Sequence, residues 1–350
     1  MAPLFSVILP TYNRAAMLRT ALWSVAAQSF TDFECFVLDD GSTDVTPQVF
    51  EEFSGRRCFE FVRFEENRRQ HVCRNWALAR ASGDFIAFLD SDDIWLPERL
   101  EVFAAAIRSR AEPDFWFSNA WLWRDGRILG TLFESEARLS EGRVPGWMAV
   151  GHPQLPYVTT NLALRRTLFE KVGRFREDMR ILEDTELYAR MLASGARVGA
   201  IRRPLAVRRL HPGQITHDYR LDYREALMAL EAGGAAADVL AQEKKRLALS
   251  VAGYFLKSLQ QRTAREFLVQ ELGDAAQDSL WFKLSFLPSW VLAGGKALRR
   301  LGLAILRHPA WASAPVREVY RFIDPLLTQE MVSSRAQKSE AERMRLSGSG

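Results

Sequence analysis

The residues that could do chemistry gather at the ends of apolar runs. The clearest run is Phe85 to Leu89, which leads directly into Asp90, Ser91, Asp92 and Asp93. The apolar residues need burial, while the carboxylates need water, a cation or a partner. In extended backbone Asp90 and Asp92, two residues apart, point to the same side. Carboxylates that close repel each other unless a cation lies near them. A hard divalent ion, Mg²⁺ or Mn²⁺, takes oxygen ligands and keeps positions open for phosphates. Zinc is not indicated, because Cys35, Cys58 and Cys73 form no CxxC pair and no His/Cys cluster occurs. Two further apolar runs end in "PTYNR" (10–14) and "DDGSTD" (39–44). Asp, Asn, Gly and Ser also make turns. Three polar strand ends fit one shared site better, since an open parallel sheet binds ligands beyond the carboxyl ends of its strands.

The elements that must position these residues follow from periodicity. Ser6 to Leu9, Cys35 to Leu38, Phe59 to Phe64 and Phe85 to Leu89 read as strands. Between them Leu18, Ala21, Leu22 and Val25 recur at helical spacing, and further helices are expected over 46–53, 72–81 and 96–107, the last with Pro97 near its first turn. This alternation implies an α/β fold whose mostly parallel sheet is covered on both faces. After residue 120 the pattern loosens. Asp125-Gly126 predicts a hairpin, 134–156 a proline- and glycine-rich loop, and 157–164 a strand. A helix over 183–193, ended by Gly195, and an extended, arginine-rich stretch over 197–210 come next, and the chain reads as helical from about 222.

Taken together, "SVILPTYNRAAMLRTALWSVAAQSFTDFECFVLDDGSTD" (6–44) and "CRNWALARASGDFIAFLDSDDIWLPERL" (73–100) resemble the family 2 glycosyltransferases, whose GT-A fold is a Rossmann-like, mostly parallel sheet covered by helices. The resemblance resumes at "VGRFREDMRILEDTELYARM" (172–191) and "RRLHPGQIT" (208–216), and so spans roughly residues 4 to 217. It departs at "NRRQHVCRN" (67–75), where the family usually has a glycine-containing run and this chain has His71 and no glycine.

The resemblance implies a nucleotide-sugar donor, most often a UDP-sugar, with Mn²⁺ or Mg²⁺ and inversion at the anomeric carbon. By the same likeness Pro10, Thr11, Tyr12 and Asn13 border the nucleoside, and Asp40 accepts a hydrogen bond from the base. Arg74 lies near the diphosphate or base. Asp92 holds the metal, while Asp90 and Ser91 face the ribose or the metal's waters. An inverting transfer needs a general base for the acceptor hydroxyl. Asp184 in the "ED" pair matches that role and starts a helix, whose dipole favours an ionised carboxylate; capping of the helix is the alternative for Glu183 and Asp184. His211 is a candidate for the metal or a phosphate, or else a loop residue. Glu183, Asn161 and Trp147 are acceptor candidates, with strand packing and loop anchoring the alternatives for the last two.

Composition sets the remaining bounds. The 350 residues are 48% hydrophobic and 26% charged, enough for a large core, and a net charge of +4 is too weak to indicate nucleic acid. The first ten residues carry no basic leader, no window has the ~18 apolar residues of a spanning helix, and the odd, sparse cysteines suit a reducing compartment. The expected location is cytoplasmic, free or peripheral at the inner face of the cell membrane. The expected organisation is a catalytic domain over 1–220, a helical region over 221–332 and a disordered tail over 333–350. Within 281–321, Lys283, Lys296, Arg299, Arg300, Arg307, Arg317 and Arg321 stand against one acid, Glu318, among tryptophans and leucines. Such a segment suits an anionic membrane surface, a packed helical subdomain or the interface of a homo-oligomer. The acceptor is then expected to be a growing glycan or a lipid-linked saccharide. Two other readings stand beside the transferase: a sugar-phosphate nucleotidyltransferase, although "PTYNRAAML" lacks the glycine-rich phosphate loop usual there, and a non-catalytic glycan- or membrane-binding protein.

Overall fold

The computed structural model describes residues 2–56, 58–211, 218–287, 319 and 322–327. The chain begins with alternating strands and helices: β1 (Phe5–Thr11), α1 (Ala15–Ala26), β2 (Phe33–Asp39), α2 (Thr46–Phe53), β3 (Phe59–Arg63), α3 (Gln70–Leu78) and β4 (Phe85–Phe88). There follow β5 (Ile94–Trp95), α4 (Arg99–Ser109), β6 (Phe115–Arg124), β7 (Arg127–Thr131), β8 (Gly142–Arg143), β9 (Leu162–Arg165), α5 (Arg166–Val172), α6 (Glu183–Ala193) and β10 (Arg197–Arg209). Helices α7 (Tyr219–Ala232), α8 (Ala237–Lys257), α9 (Gln261–Leu272) and α10 (Leu280–Leu284) follow, and residues 322–327 are also helical.

The strands form one sheet in the order β3-β2-β1-β4-β9-β6-β10-β5, with β7 beside β6 and β8 beside β10. β1, β2, β3 and β4 run parallel, as do β6 and β10. β9 is inserted antiparallel between β4 and β6. The side chains show why the inner strands are apolar throughout. Phe5, Val7 and Leu9 of β1 pack on one face with Phe85 and Ala87 of β4, against α1, α2 and α4. Ile8, Ile86 and Phe88 point the other way, into a second core with α3, α5 and α6. Period-two alternation thus feeds two cores from the same strand.

Several boundaries differ from the sequence reading for identifiable reasons. The expected strand over 157–164 is a 3₁₀ turn at Thr159–Asn161 followed by β9. Asn161 Oδ1 accepts from the Val158 amide, Asn161 Nδ2 donates to the Ser118 carbonyl, and Trp95 Nε1 donates to the Thr160 carbonyl. These bonds pull the backbone out of extended geometry. Helix α4 starts at Arg99 rather than Leu96, because Gln28 takes the Leu96 carbonyl and the Leu100 amide onto its side-chain amide.

The C-terminal helices pack on the sheet domain through α7, which lies against α6 and the 3₁₀ turn at Gly146–Ala149. Val319 and Ile323 are buried with Ile94, Leu96 and Val207, so the chain returns to the β5 edge of the sheet. Val319 belongs to the segment read as suited to a membrane surface, a packed helical subdomain or an oligomer interface, and it is a core residue. Residues 288–318, 320 and 321 of that segment, and the expected tail at 333–350, lie outside the described residues. Among the described residues no helix is long and apolar enough to cross a membrane.

Candidate active site

The carboxyl ends of β1, β2 and β4 meet around a cavity of about 950 Å³. Two of the three loops are stitched together by Asn13, which adopts φ 50°, a left-handed conformation that asparagine tolerates. Its Oδ1 accepts from the Thr43 amide at 2.8 Å, and its own amide donates to Ser42 Oγ at 2.8 Å. Gly41, at φ +74°, closes the "DDGS" turn, and a Cβ there would lie 2.6 Å from the Glu66 carbonyl carbon. Asp39 is spent inside this turn, accepting from the Ser42 amide at 2.9 Å. Asp40 turns toward the cavity and accepts from the Arg68 amide at 2.7 Å.

The third loop carries the acidic cluster. One ligand oxygen from each of Asp90, Asp92 and Asp93 lies within 4.8 Å of the others. Extended alternation does not bring them together, contrary to the expectation from spacing. β4 ends at Phe88, and 90–93 is a tight turn closed by the Asp93 amide on the Asp90 carbonyl at 2.9 Å. Arg209 fixes this turn: its amide donates to Asp93 Oδ1 at 2.9 Å and its guanidinium to the Asp92 carbonyl. His211 Nε2 lies 2.9 Å from Asp92 Oδ2, and the Arg14 guanidinium donates to the same oxygen. Burial alone would push Asp92 up, but the His211 hydrogen bond and the Arg14 and Arg209 charges outweigh it and hold the carboxyl below its ordinary value. Asp93 is the reverse case, pushed well up by burial and by Asp92 and Asp90. Three carboxylates in an all-oxygen set, one of them held ionised, fit a hard divalent cation.

Asp184 enters the same cavity from the first turn of α6. Its Oδ2 accepts from Thr159 Oγ1 at 2.5 Å and its Oδ1 from the Thr185 amide at 2.6 Å. The 3₁₀ turn that displaced the expected strand is thus what delivers Thr159 to Asp184.

Pro10, Thr11, Tyr12, Asp40, Asp90, Ser91, Asp92 and Asp184 all line the cavity. Other candidates sit elsewhere. Arg74 is 2% exposed and lies behind the wall, donating to Asp90 Oδ1 at 2.7 Å and sitting 3.4 Å from Glu183 Oε1, over the rings of Phe88 and Phe175. Its link to the cavity therefore runs through Asp90. Glu183 is fully buried and also accepts from Gln70 Nε2 at 2.9 Å, which removes it from acceptor contact. Burial pushes its carboxyl up to about 7, with Asp184 adding to the rise and Arg74 limiting it. Asn161 is fully buried in the bonds described above, and Trp147 packs edge-on against His152 away from this cavity. Neither can meet an acceptor there.

Some residues escaped the sequence reading. His71, seen only as a departure from pattern, lines the cavity, and burial followed by the Arg69 charge holds its imidazole below the ordinary value. Arg14 and Asp93 sat inside quoted motifs without a role. Glu225 of α7 had no local signal: its buried carboxylate accepts from the amides of Arg180 (2.8 Å), Ile181 (2.8 Å) and Leu182 (2.9 Å), the segment that leads into Asp184.

Residues 6–173 match the family model described as Glycosyl transferase family 2. Over this stretch the chain is similar to the family 2 glycosyl transferases. The matched family 2 residues include Asp40 and the acidic turn, while Asp184 and His211 lie beyond them. Among curated proteins, the chain is 35% identical over 127 residues to the UDP-Glc:alpha-D-GlcNAc-diphosphoundecaprenol beta-1,3-glucosyltransferase WfgD of Escherichia coli, covering 36% of this chain and 49% of that one. It is 29% identical over 332 residues to the succinoglycan biosynthesis protein ExoO of Rhizobium meliloti, covering 89% of this chain and 91% of that one. The chain spans about half the length of the first curated relatives it matches. The crystal structure of S. aureus TarS 1-349 in complex with UDP-GlcNAc aligns with TM-score 0.57 at 20% identity over 81% of this chain and 90% of that one, a likeness of fold.

Proposed function

We propose that this chain is an inverting, divalent-cation-dependent glycosyltransferase that moves a sugar from a nucleotide-sugar, with UDP as carrier, to a hydroxyl of a growing glycan or lipid-linked saccharide. The observation that carries the proposal is that Asp184, held by Thr159 at a helix start, shares one cavity with the Asp90–Asp93 turn and with Asp40.

Asp92, with Asp90 and Asp93 beside it, would hold Mn²⁺ or Mg²⁺, and the bound ion supplies charge neutralisation to the leaving diphosphate. This chain's residues do the rest. Pro10 and Thr11 offer backbone groups and Tyr12 its ring to the nucleoside, and Asp40 accepts from the base. Ser91 and Asp90 face the ribose, with Asp90 oriented by Arg74. His211 and Arg14 both lie on Asp92 Oδ2, and the Arg14 guanidinium adds positive charge where phosphate would lie. Asp184 takes the proton from the acceptor hydroxyl as that oxygen attacks the anomeric carbon from the side opposite the diphosphate. Its two hydrogen-bonded oxygens fix the carboxylate's plane, so the proton acceptor is oriented before the substrate arrives. The catalytic unit occupies residues 1–220, and a lipid-linked acceptor would have the enzyme work at the inner face of the membrane.

The test is thermal stabilisation by a panel of nucleotide-sugars with and without Mn²⁺ or Mg²⁺, since a ligand that binds only the folded state raises the melting temperature. At least one UDP-sugar is expected to stabilise the protein in a cation-dependent way. Stabilisation by none of the panel under either cation would refute the proposal, and pyrophosphate release from a sugar phosphate and a nucleoside triphosphate would favour the nucleotidyltransferase reading.

A further inference from the structure

A second cavity, of about 390 Å³, adjoins the first and shares Tyr157, Leu182 and Thr185 with it. Thr185 follows Asp184 directly, so the two cavities meet beside the proposed base. None of Asp40, Asp90 and Asp92 lines the second cavity, which therefore lies apart from the proposed donor residues. Its outer wall comes from α7 and α8 and from the loop over 149–157. Its size lies within the range of roughly 300–1,000 Å³ of small-molecule sites.

The chemistry of the lining selects an occupant. Leu155, Pro156 and Leu247 present apolar surface, while His152, Asp222 and Arg246 present polar edges. A sugar ring has this same duality, with a C–H face and a hydroxyl rim. A diphosphate would need uncompensated positive charge. Arg246 does not supply it, because its Nε is paired with Glu243 at 2.6 Å and its Nη2 donates to the Val150 carbonyl at 2.9 Å. Asp222 faces the same space, and burial holds the His152 imidazole below its ordinary value, toward the neutral form.

We infer that this cavity is a second saccharide subsite, which binds the neutral sugar next to the one carrying the attacking hydroxyl, so the acceptor is a glycan of at least two units. The inference rests on the proposed transfer reaction and narrows its acceptor. The C-terminal helices thereby set acceptor length, because α7 and α8 build the outer wall of this second cavity.

The experiment uses the full chain, the UDP-sugar identified by stabilisation, and three probes: p-nitrophenyl monosaccharides of glucose, N-acetylglucosamine, galactose and mannose; p-nitrophenyl disaccharides ending in the same sugars; and a monosaccharide joined through a diphosphate to a short alkyl chain. Donor hydrolysis by water is measured alongside. The expected result is a KM about tenfold lower for the best disaccharide than for its monosaccharide, a difference of about 1.4 kcal/mol. Leu247→Trp, which fills the cavity from α8, should erase that preference while donor hydrolysis and monosaccharide transfer stay within about twofold. His152→Ala, a milder change, should weaken the preference in the same direction. Equal KM for the two lengths, a lower KM for the diphosphate-linked probe, or an equal loss for both acceptor lengths in the variants would overturn the subsite. Absence of both donor hydrolysis and transfer in the unaltered protein would overturn the transfer reading and the subsite with it.

Discussion

Glu225 gives the sharpest quantitative test of how the C-terminal helices support the site. Its carboxylate, 4% exposed, accepts three consecutive amides at 2.8, 2.8 and 2.9 Å. A hydrogen bond to a charged group contributes about 1.5–3 kcal/mol, so three independent bonds would total roughly 4.5–9 kcal/mol. The three share one acceptor and the freed amides regain some water, so the expected loss for Glu225→Ala is nearer the 3–5 kcal/mol of a broken buried charge network. Glu225→Gln keeps one oxygen and turns an amide donor toward the remaining N–H, so it should recover only part of the loss. Urea denaturation of the three proteins gives the comparison, with the midpoint shift read at constant slope. Turnover should fall in the same order, because the clasped segment precedes Asp184 by two residues. A change below about 0.5 kcal/mol for Glu225→Ala would be the size of an ordinary surface substitution and would refute the clasp as a structural element.

Two further outcomes follow from the same geometry. Glu183 is raised from its ordinary 4.5 to about 7, so its protonated form favours the folded state: that stability is complete below pH 4.5 and is lost as pH rises through 7. At about 1.4 kcal/mol per pH unit the loss reaches at most about 3.5 kcal/mol; Glu183→Gln should lack this dependence in urea melts at pH 5 and 7.5, and parallel pH profiles for the two proteins would contradict it. Asp92→Asn should abolish the cation-dependent part of stabilisation by the UDP-sugar, which differential scanning fluorimetry reads directly; full retention would remove Asp92 as the ligand.

The sequence made the strand ends legible because two local signals coincide there: a doubly buried strand is apolar throughout, and its carboxyl end turns abruptly polar. The run from Phe85 into Asp90 is the clearest case, and α2 and α6 also have the predicted bounds. What local pattern could not reveal are contacts between distant residues. Arg74 looks like a cavity residue until it pairs with Glu183, 109 positions away, and Asn161 looks like strand until it bonds Ser118. Glu225 reads as an ordinary helix-surface acid, and its partners lie some 45 residues upstream. His71 was visible as a departure from pattern, but only the fold shows that α3 directs it into the cavity. The antiparallel insertion of β9 left no trace either, since a short apolar strand reads the same in both directions.

The most direct test of the central claim, that Asp184 and the acidic turn act on one bound donor and acceptor, is a paired measurement on Asp184→Asn. Donor stabilisation in the presence of the cation should stay at the unaltered level, because Asp184 contacts neither Asp92 nor Asp40. Transfer should fall by about 10²-fold or more, the usual scale for a lost general base. Full turnover in Asp184→Asn, or loss of donor binding together with transfer, would contradict the account.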